Sequence, residues 1–335
     1  MAKITLKEIA KLAGVSVMTV SNVIHGKNAK VSIKTKEKIL KLVEEYNYVP
    51  NQNASNLRTG SSQLIGVLFY SKESYTDFTD PFVSSILTGI ENVANKYGYF
   101  TMIRSIDKAE DIEVLQRNWT FAGFIMIGVS SYDFSQVDKN IFVPVTYVDT
   151  YRKRITINSE KARNFVGTDE DEVSKIAVDY LVKQGHENIL FCSFDFDSAP
   201  SVIEKRFSAF KKYFAQKSSG QFLVATTPTP NYQDVLQSVK PYLMAQPFSA
   251  IYATADILAV KLNQIFKDVS IIGVDNAEFC DFVSPKLTTI AIDQVEKGEI
   301  AMKKLIMSIN QETSSDFYSN SYLIERDSVQ KIKKS

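Results

Sequence analysis

From Leu6 the apolar positions recur at helical spacing. Ile9, Ala10, Leu12 and Ala13 follow Thr5, which with Glu8 three residues later forms a capping box. This predicts a helix over about Leu6 to Ala13. Gly14 stands where a helix C-cap needs positive φ, Val15 plugs the turn, and Ser16 is placed to cap a second helix with Val20, Val23 and Ile24 on one face. After a loop from His25 to Val31, Ser32 caps a lysine-rich amphipathic helix with Ile39, Leu42, Val43 and Tyr46 inward. None of the three is long enough to be stable alone, so they must share one small core.

From Leu64 the period changes. LIGVLFY reads as a buried strand, Pro81 to Tyr97 as an amphipathic helix ending near Gly98, and YFTMIRS as another strand. Alternation continues through FAGFIMIG, FVPVTYVD, a helix from about Glu172 to Gln184 closed by Gly185, NILFCSF and a helix around Phe207 to Ala215. FLVATT, SAIYATA, VSIIGVD and a last helix near Val295 to Ile309 complete it. The predicted class is α/β: a helix-turn-helix head, then doubly wound parallel sheets in two successive halves, each with helices on both faces. In such sheets ligands bind beyond the carboxyl ends of strands, and the cleft between two lobes is the natural site.

Composition narrows the function classes. The chain has 335 residues and no apolar run of the roughly 18 to 20 residues a membrane helix needs, so a cytoplasmic protein is expected. Its two cysteines, Cys192 and Cys280, and two histidines, His25 and His186, do not make a zinc cluster at the usual spacings, and no metal or other cofactor is expected. The chain lacks GxxxxGK[ST], HExxH, GxSxG and a strand-linked GxGxxG, so no catalytic residue is assigned and an enzyme is not expected. His186, after the helix-ending Gly185, reads as a structural residue. Charge is divided unevenly: residues 1–60 carry a net +6 and the rest a net −5. A basic head on an acidic body is the footprint of a polyanion-binding module joined to a different device.

Within the head, Val17, Met18, Ser21 and Asn22 sit at the start of the second helix, where side chains can reach base edges in a major groove. Thr19, Ser21 and backbone N–H groups there can hold phosphates. The stretch TLKEIAKLAGVSVMTVSNVIHGK, then VS-IKT, then YNYVPNQNASNLRTG, closely resembles the headpiece of the LacI/GalR family of bacterial transcriptional regulators. The resemblance implies a headpiece over residues 1–49, a hinge helix and linker over 50–62, and a core over 63–335. It extends the DNA-facing set to Thr5, Ser16, His25, Asn51, Ala54, Ser55, Leu57 and Arg58, with Ala54 toward DNA and Leu57 as the minor-groove wedge. Asn51, Gln52, Asn53, Ser55 and Asn56 make a weakly propensive helix that needs something to order it. Asn22 and Ser55 stand where many members carry arginine, so the operator sequence does not transfer.

The body resembles the same family's effector-binding core, itself similar to periplasmic sugar-binding proteins. The anchors are DPF, the strand end at Asp149, GTDEDE before YLVKQGHENI, RFSAF, ATAD, IIGVDN and SPKLTTI. Carried over, the cleft positions are Asp80, Phe82, Val83, Asp149, Arg206, Asp256 and Asp275. Carboxylates accept from vicinal hydroxyls, a guanidinium donates a fork, and an aromatic face packs on a pyranose. Ala255 and Ile292 replace polar residues common in related clefts. Tyr75, Phe78, Tyr151, Phe194 and Phe196 are placed to compensate by stacking. The resemblance implies a homodimer on double-stranded operator DNA, repressing carbohydrate genes under control of a sugar or sugar phosphate. The alternatives are a global regulator with a phosphoprotein corepressor and a sugar receptor without gene control.

Overall fold

Thr5, Ser16 and Ser32 each start a helix. Glu8 N donates to Thr5 Oγ1 at 3.3 Å while Glu8 Oε2 accepts from Thr5 N at 2.7 Å, closing the capping box of α1 (Leu6–Ala13). Thr19 N donates to Ser16 Oγ at 3.1 Å ahead of α2 (Val17–Ile24), and Thr35 N to Ser32 Oγ at 3.2 Å ahead of α3 (Ile33–Glu45). Gly14, at φ 75°, ends α1 by donating to Ala10 O, a conformation that disfavours any residue with a Cβ. Ile9, Ala10, Ala13, Val20, Val23 and Ile39 form the shared core, with Val15, Leu42, Val43 and Tyr48 against it.

Two expected core residues lie elsewhere. Leu12 is exposed because the arc centred on Ile9 and Ala13 leaves it about 100° away around the helix. Tyr46 is exposed because α3 stops at Glu45 and its period no longer applies; Tyr48, donating its N–H to Val43 O, closes the core instead.

The computed structural model describes residues 4–24, 26, 31–48, 62–70, 77–151 and 163–332. It divides into two units, Met1–Ser62 and Gln63–Ser335. The larger unit holds two six-stranded sheets. One takes β1 (Leu64–Tyr70), β2 (Phe100–Ile106), β3 (Gly123–Ile127), β4 (Val145–Val148), β5 (Arg163–Thr168) and a late strand, β11 (Phe317–Ser319). Its order is β11-β5-β4-β3-β1-β2, all parallel. The other takes β6 (Ile189–Phe194), β7 (Phe222–Thr227), β8 (Ala250–Ala253), β9 (Ser270–Asp275), β10 (Thr288–Ile292) and β12 (Ser321–Ile324). Its order is β12-β10-β9-β8-β6-β7, parallel except for β12 on β10.

Helices cover both faces of each sheet, which is why the strands read as unbroken apolar runs. On the first sheet α4 (Pro81–Tyr97) and α11 (Gln294–Ile309) line one face, and α5 (Ala109–Asn118) and α6 (Phe134–Lys139) the other. On the second, α7 (Glu170–Lys183) and α8 (Val202–Lys217) oppose α9 (Tyr232–Val239) and α10 (Asp256–Ile265).

The two lobes are not successive halves of the chain. It crosses from the first to the second between Thr168 and Glu170, returns between Ile292 and Gln294, and crosses again between Ser319 and Ser321. The last long helix, α11, therefore packs on the first sheet. There it meets α4 backbone to backbone: a Cβ on Gly298 would stand 2.3 Å from Ile86 O, and one on Gly89 2.0 Å from Val295 O. Among the described residues, no helix is long and apolar enough to cross a membrane.

Candidate functional site

Two surfaces carry the sequence-derived candidates. In the small unit, Val17 and Met18 are exposed at the start of α2, and Asn22 is half-buried one turn after Met18. Ser16 is exposed, with its hydroxyl shared between Thr19 N and Thr19 Oγ1. Thr5 lies at the cap of α1. Ser21 departs from the expectation: it is 4% exposed, on the arc between Val20 and Ile24 that closes the core. A base-reading role for Ser21 does not fit that burial, because reaching a base edge needs a side chain turned outward. His25, Asn51, Ala54, Ser55, Leu57 and Arg58 lie outside the described residues, as does Tyr75.

In the large unit, the carboxyl ends of both sheets open on one cavity of about 440 Å³, within the range that accommodates small ligands. The first lobe contributes Asp80, Phe82, Ile127 to Ser130, Asp149, Gln294 and Lys297. The second contributes Phe194 to Asp197, Arg206, Thr254 to Asp256, Asp275, Ala277 and Phe279, with Glu170 at the first crossing. The sequence-derived Asp80, Phe82, Asp149, Arg206, Asp256 and Asp275 are thus brought together. Val83 is not: it packs in the core with Ile65, Ile86 and Ile125, one position too far around α4 to face the cavity.

Each lobe holds its own buried ion pair at the cavity wall. In the first, Lys297 Nζ lies 3.1 Å from both carboxylate oxygens of Asp149 and 5.9 Å from the centre of the Phe82 ring. In the second, Arg206 Nε donates to Glu170 Oε2 at 2.5 Å and Nη1 to Thr254 O at 2.6 Å. That leaves Nη2 without an acceptor among the described residues, so a ligand meets one edge of the guanidinium and not the open fork expected from sequence. Burial pushes the Glu170 carboxyl up, against the pull of Arg206. Tyr151 is a buried support, not an aromatic at the mouth. Its hydroxyl accepts from Thr168 N at 3.1 Å and lies 2.9 Å from Glu170 Oε1. Phe78 is exposed and meets Phe69 edge-on.

Asp149 and Asp275 stand at corresponding places, just after β4 and as the last residue of β9, both with left-handed backbone, φ 51° and 114°. Non-glycine residues held there are under backbone strain, a feature that gathers at ligand sites. Asp275 Oδ1 accepts from Gln294 Nε2 at 3.2 Å. Burial raises its carboxyl to about 8, with Arg206 opposing and Asp256 adding to the rise. Asp80 caps α4 by accepting from Phe82 N at 2.9 Å, and burial raises its carboxyl as well. Asp256 opens α10 and does not cap it. Its carboxylate takes Thr289 Oγ1 at 2.6 Å, Ala277 N at 2.9 Å and Cys280 Sγ at 3.1 Å, tying α10 to the turn after β9. Burial nevertheless raises it to about 6.

Sequence reasoning missed Lys297, Gln294 and Glu170. A signal for the first two was present: Gln294, Lys297, Gly298, Ala301, Met302, Leu305, Ile306 and Ser308 form the buried stripe of α11, and two long polar residues at the start of a stripe that is apolar through its middle mark a helix end that meets something polar. Among the described residues, no group of His, Cys, Asp and Glu is arranged to hold a metal ion. His186 is a clamp far from this cavity, with Nδ1 2.9 Å from Ser249 Oγ and Nε2 2.9 Å from Gln330 O.

A three-helix head and a two-lobed core of this topology match known families. Residues 5–51 match the bacterial regulatory proteins, lacI family, and residues 178–329 the periplasmic binding protein-like domain. The chain belongs to the lacI family. It is 27% identical to the HTH-type transcriptional repressor PurR of Vibrio vulnificus (strain CMCP6), over 98% of this chain and 99% of that protein. The lac repressor dimer bound to operator and the anti-inducer ONPF has the same fold, with TM-score 0.80 at 22% identity over 98% of this chain and 100% of that one. A LacI family transcriptional regulator from Enterococcus faecium with bound ribose is 25% identical, with TM-score 0.67, over 81% of this chain and 100% of that one. As a lacI-family member the chain is a DNA-binding transcriptional regulator with an effector-binding core.

Proposed function

We propose that this regulator is a cytoplasmic, homodimeric repressor of carbohydrate-utilisation genes. Its operator affinity is set by a small carbohydrate bound between the core lobes, and it has no catalytic activity of its own. The observation that carries the reading is the cavity: strained strand-end carboxylates, one from each sheet, face a space of about 440 Å³ with aromatic walls. The ribose-bound relative supports a sugar as the class of ligand, and the lac repressor dimer on operator supports the dimer and the DNA partner.

In this reading residues 1–49 are the headpiece, 50–62 the hinge and linker, and 63–335 the core, a division supported by the break at Ser62. Val17, Met18 and Asn22 read bases; Thr5, Ser16 and Thr19 hold phosphates. Ligand closure of the lobes biases hinge folding, a coupling between two sites through a two-state element. The test is capture of genome fragments by the full chain, sequenced with and without a panel of sugars. A palindromic fragment retained or released by one sugar bears the reading out. Retention of no specific fragment at low salt, with any sugar, overturns it.

A further inference from the structure

Among the described residues, the charges facing the core cavity do not balance. Lys297 is engaged by Asp149 and Arg206 by Glu170, leaving Asp80, Asp195, Asp197, Asp256 and Asp275 on the same lining with no further Lys or Arg among it. Asp256 already receives three donors, and Asp195 and Asp197 are exposed to water. The unmet demand therefore falls on Asp275, which receives one neutral donor from Gln294, and on Asp80, whose Oδ1 is engaged by the α4 cap.

A second observation, independent of the carboxylates, points the same way. Gln294 is 6% exposed and lines the cavity, and its Oε1 has no hydrogen-bond partner among the described residues. Because its amide nitrogen faces Asp275, the orphaned oxygen presents an acceptor next to that carboxylate. The Thr254 hydroxyl, fully buried on the opposite lobe's wall, is also unpartnered among the described residues. A buried polar atom left unpaired is destabilising, and a ligand group that pairs with it relieves that cost. Acceptors without donors call for a ligand rich in donors, and carboxylates without cations call for a positive one.

Resting on the effector reading above, we propose that the cavity takes a small polyhydroxylated ligand bearing a protonated amine, an amino sugar or amino polyol, with its ammonium among Asp275, Asp80 and Gln294 Oε1. Hydroxyls on the remainder reach Thr254 and the free edge of Arg206, and Phe82, Phe196 and Phe279 supply apolar walls for its ring or chain. A phosphorylated or acidic sugar is opposed here, since Arg206 and Lys297, the cations on the described lining, are already engaged by carboxylates. The raised Asp275 carboxyl agrees with this: an arriving ammonium favours its charged form and expels a proton.

The test uses the purified full chain in calorimetric titrations near pH 7 with matched sets: glucosamine, galactosamine, mannosamine and glucamine, each against its N-acetyl form, its neutral parent and its 6-phosphate. The expected result is at least one free amine binding about tenfold or more tighter than its uncharged counterparts, the scale of one charge-assisted hydrogen bond. Heats measured in buffers of different ionisation enthalpy show a proton released on binding, and both Asp275→Asn and Gln294→Leu lose the preference for the amine. A neutral or phosphorylated member that binds as tightly as its amine, or no binding by any amine, overturns the proposal. Repeating the genome capture with the same compounds separates the two readings. Release of a fragment by a neutral sugar keeps the regulator and removes the cationic ligand, whereas tight amine binding without any retained fragment does the reverse.

Discussion

Lys297 Nζ sits 3.1 Å from both oxygens of Asp149, a residue 148 positions earlier in the chain, with both side chains almost wholly buried. The pair joins the helix that returns from the second lobe to the strained end of β4 in the first. Removing one partner leaves a buried charge without its counter-ion, so Lys297→Met is expected to cost about 3–5 kcal/mol of core stability. Adding Asp149→Asn to Lys297→Met should recover most of the loss, because the double variant leaves no bare charge. Urea unfolding of the full chain and its three variants closes the cycle; additive losses would show that the two groups do not act as a pair.

The close crossing of α4 and α11 depends on Gly89 and Gly298. A Cβ at either would meet backbone, at Val295 O and Ile86 O, and backbone does not yield as a flexible side chain does. Gly298→Ala should therefore destabilise by about 1–3 kcal/mol or more, the cost of overpacking. It also shifts Lys297 and Gln294 in the cavity, so ligand response weakens with stability. Thr88→Ala, on the exposed side of α4, should stay within about 0.5 kcal/mol and serves as the control. Equal melting temperatures for the two variants would contradict the close packing.

Much of this fold was legible because parallel strands covered on both faces leave plain apolar runs, and because Thr5, Ser16, Ser32 and Gly14 announce helix ends locally. What periodicity cannot report is which sheet an element joins. The α11 pattern is the same whichever lobe it covers, and that choice sets the lobes' interleaving and delivers Lys297 to the cavity. The same limit explains Arg206, legible as a cleft residue, whose partner Glu170 is 36 positions away and lies in a first turn where acidic residues are ordinary. Ser21 departs from the pattern of its polarity because its place on the α2 wheel, beside Val20 and Ile24, closes it into the core.

Asp275 makes core stability depend on pH in a direction opposite to that of a salt-bridged carboxylate. Its folded value, about 8, lies above the unfolded value near 4. Its contribution is therefore fully present below about pH 4 and is lost as pH rises through 8. Burial raises it, Asp256 and Asp80 add to that, and Arg206 and Lys297 oppose. Between pH 6 and 9 the urea midpoint of the ligand-free chain should fall, and Asp275→Asn should flatten that part of the curve. Asp256, at about 6, contributes a similar fall centred lower, chiefly through its own burial. A midpoint that rises from pH 6 to 9 in the wild type would contradict the dominance of burial over the pull of Arg206 and Lys297 at these carboxyls.

Asn22 and Ser21 are neighbours on α2 with opposite surroundings, and that difference predicts opposite consequences for DNA binding. Asn22 is partly exposed beyond Met18, where its amide can bond an adenine edge, whereas Ser21 is closed into the core. Asn22→Ala should weaken binding to the captured operator by about 1–3 kcal/mol and relax preference at one base pair per half-site, the effect of losing one specific contact. Ser21→Ala should leave the ranking of single-base operator variants unchanged, any loss appearing equally on every sequence. Binding of each variant to a set of single-base operator substitutions, at one fixed salt concentration, measures both. A change of base preference in Ser21→Ala, with none in Asn22→Ala, would mean that α2 presents a different face to the groove.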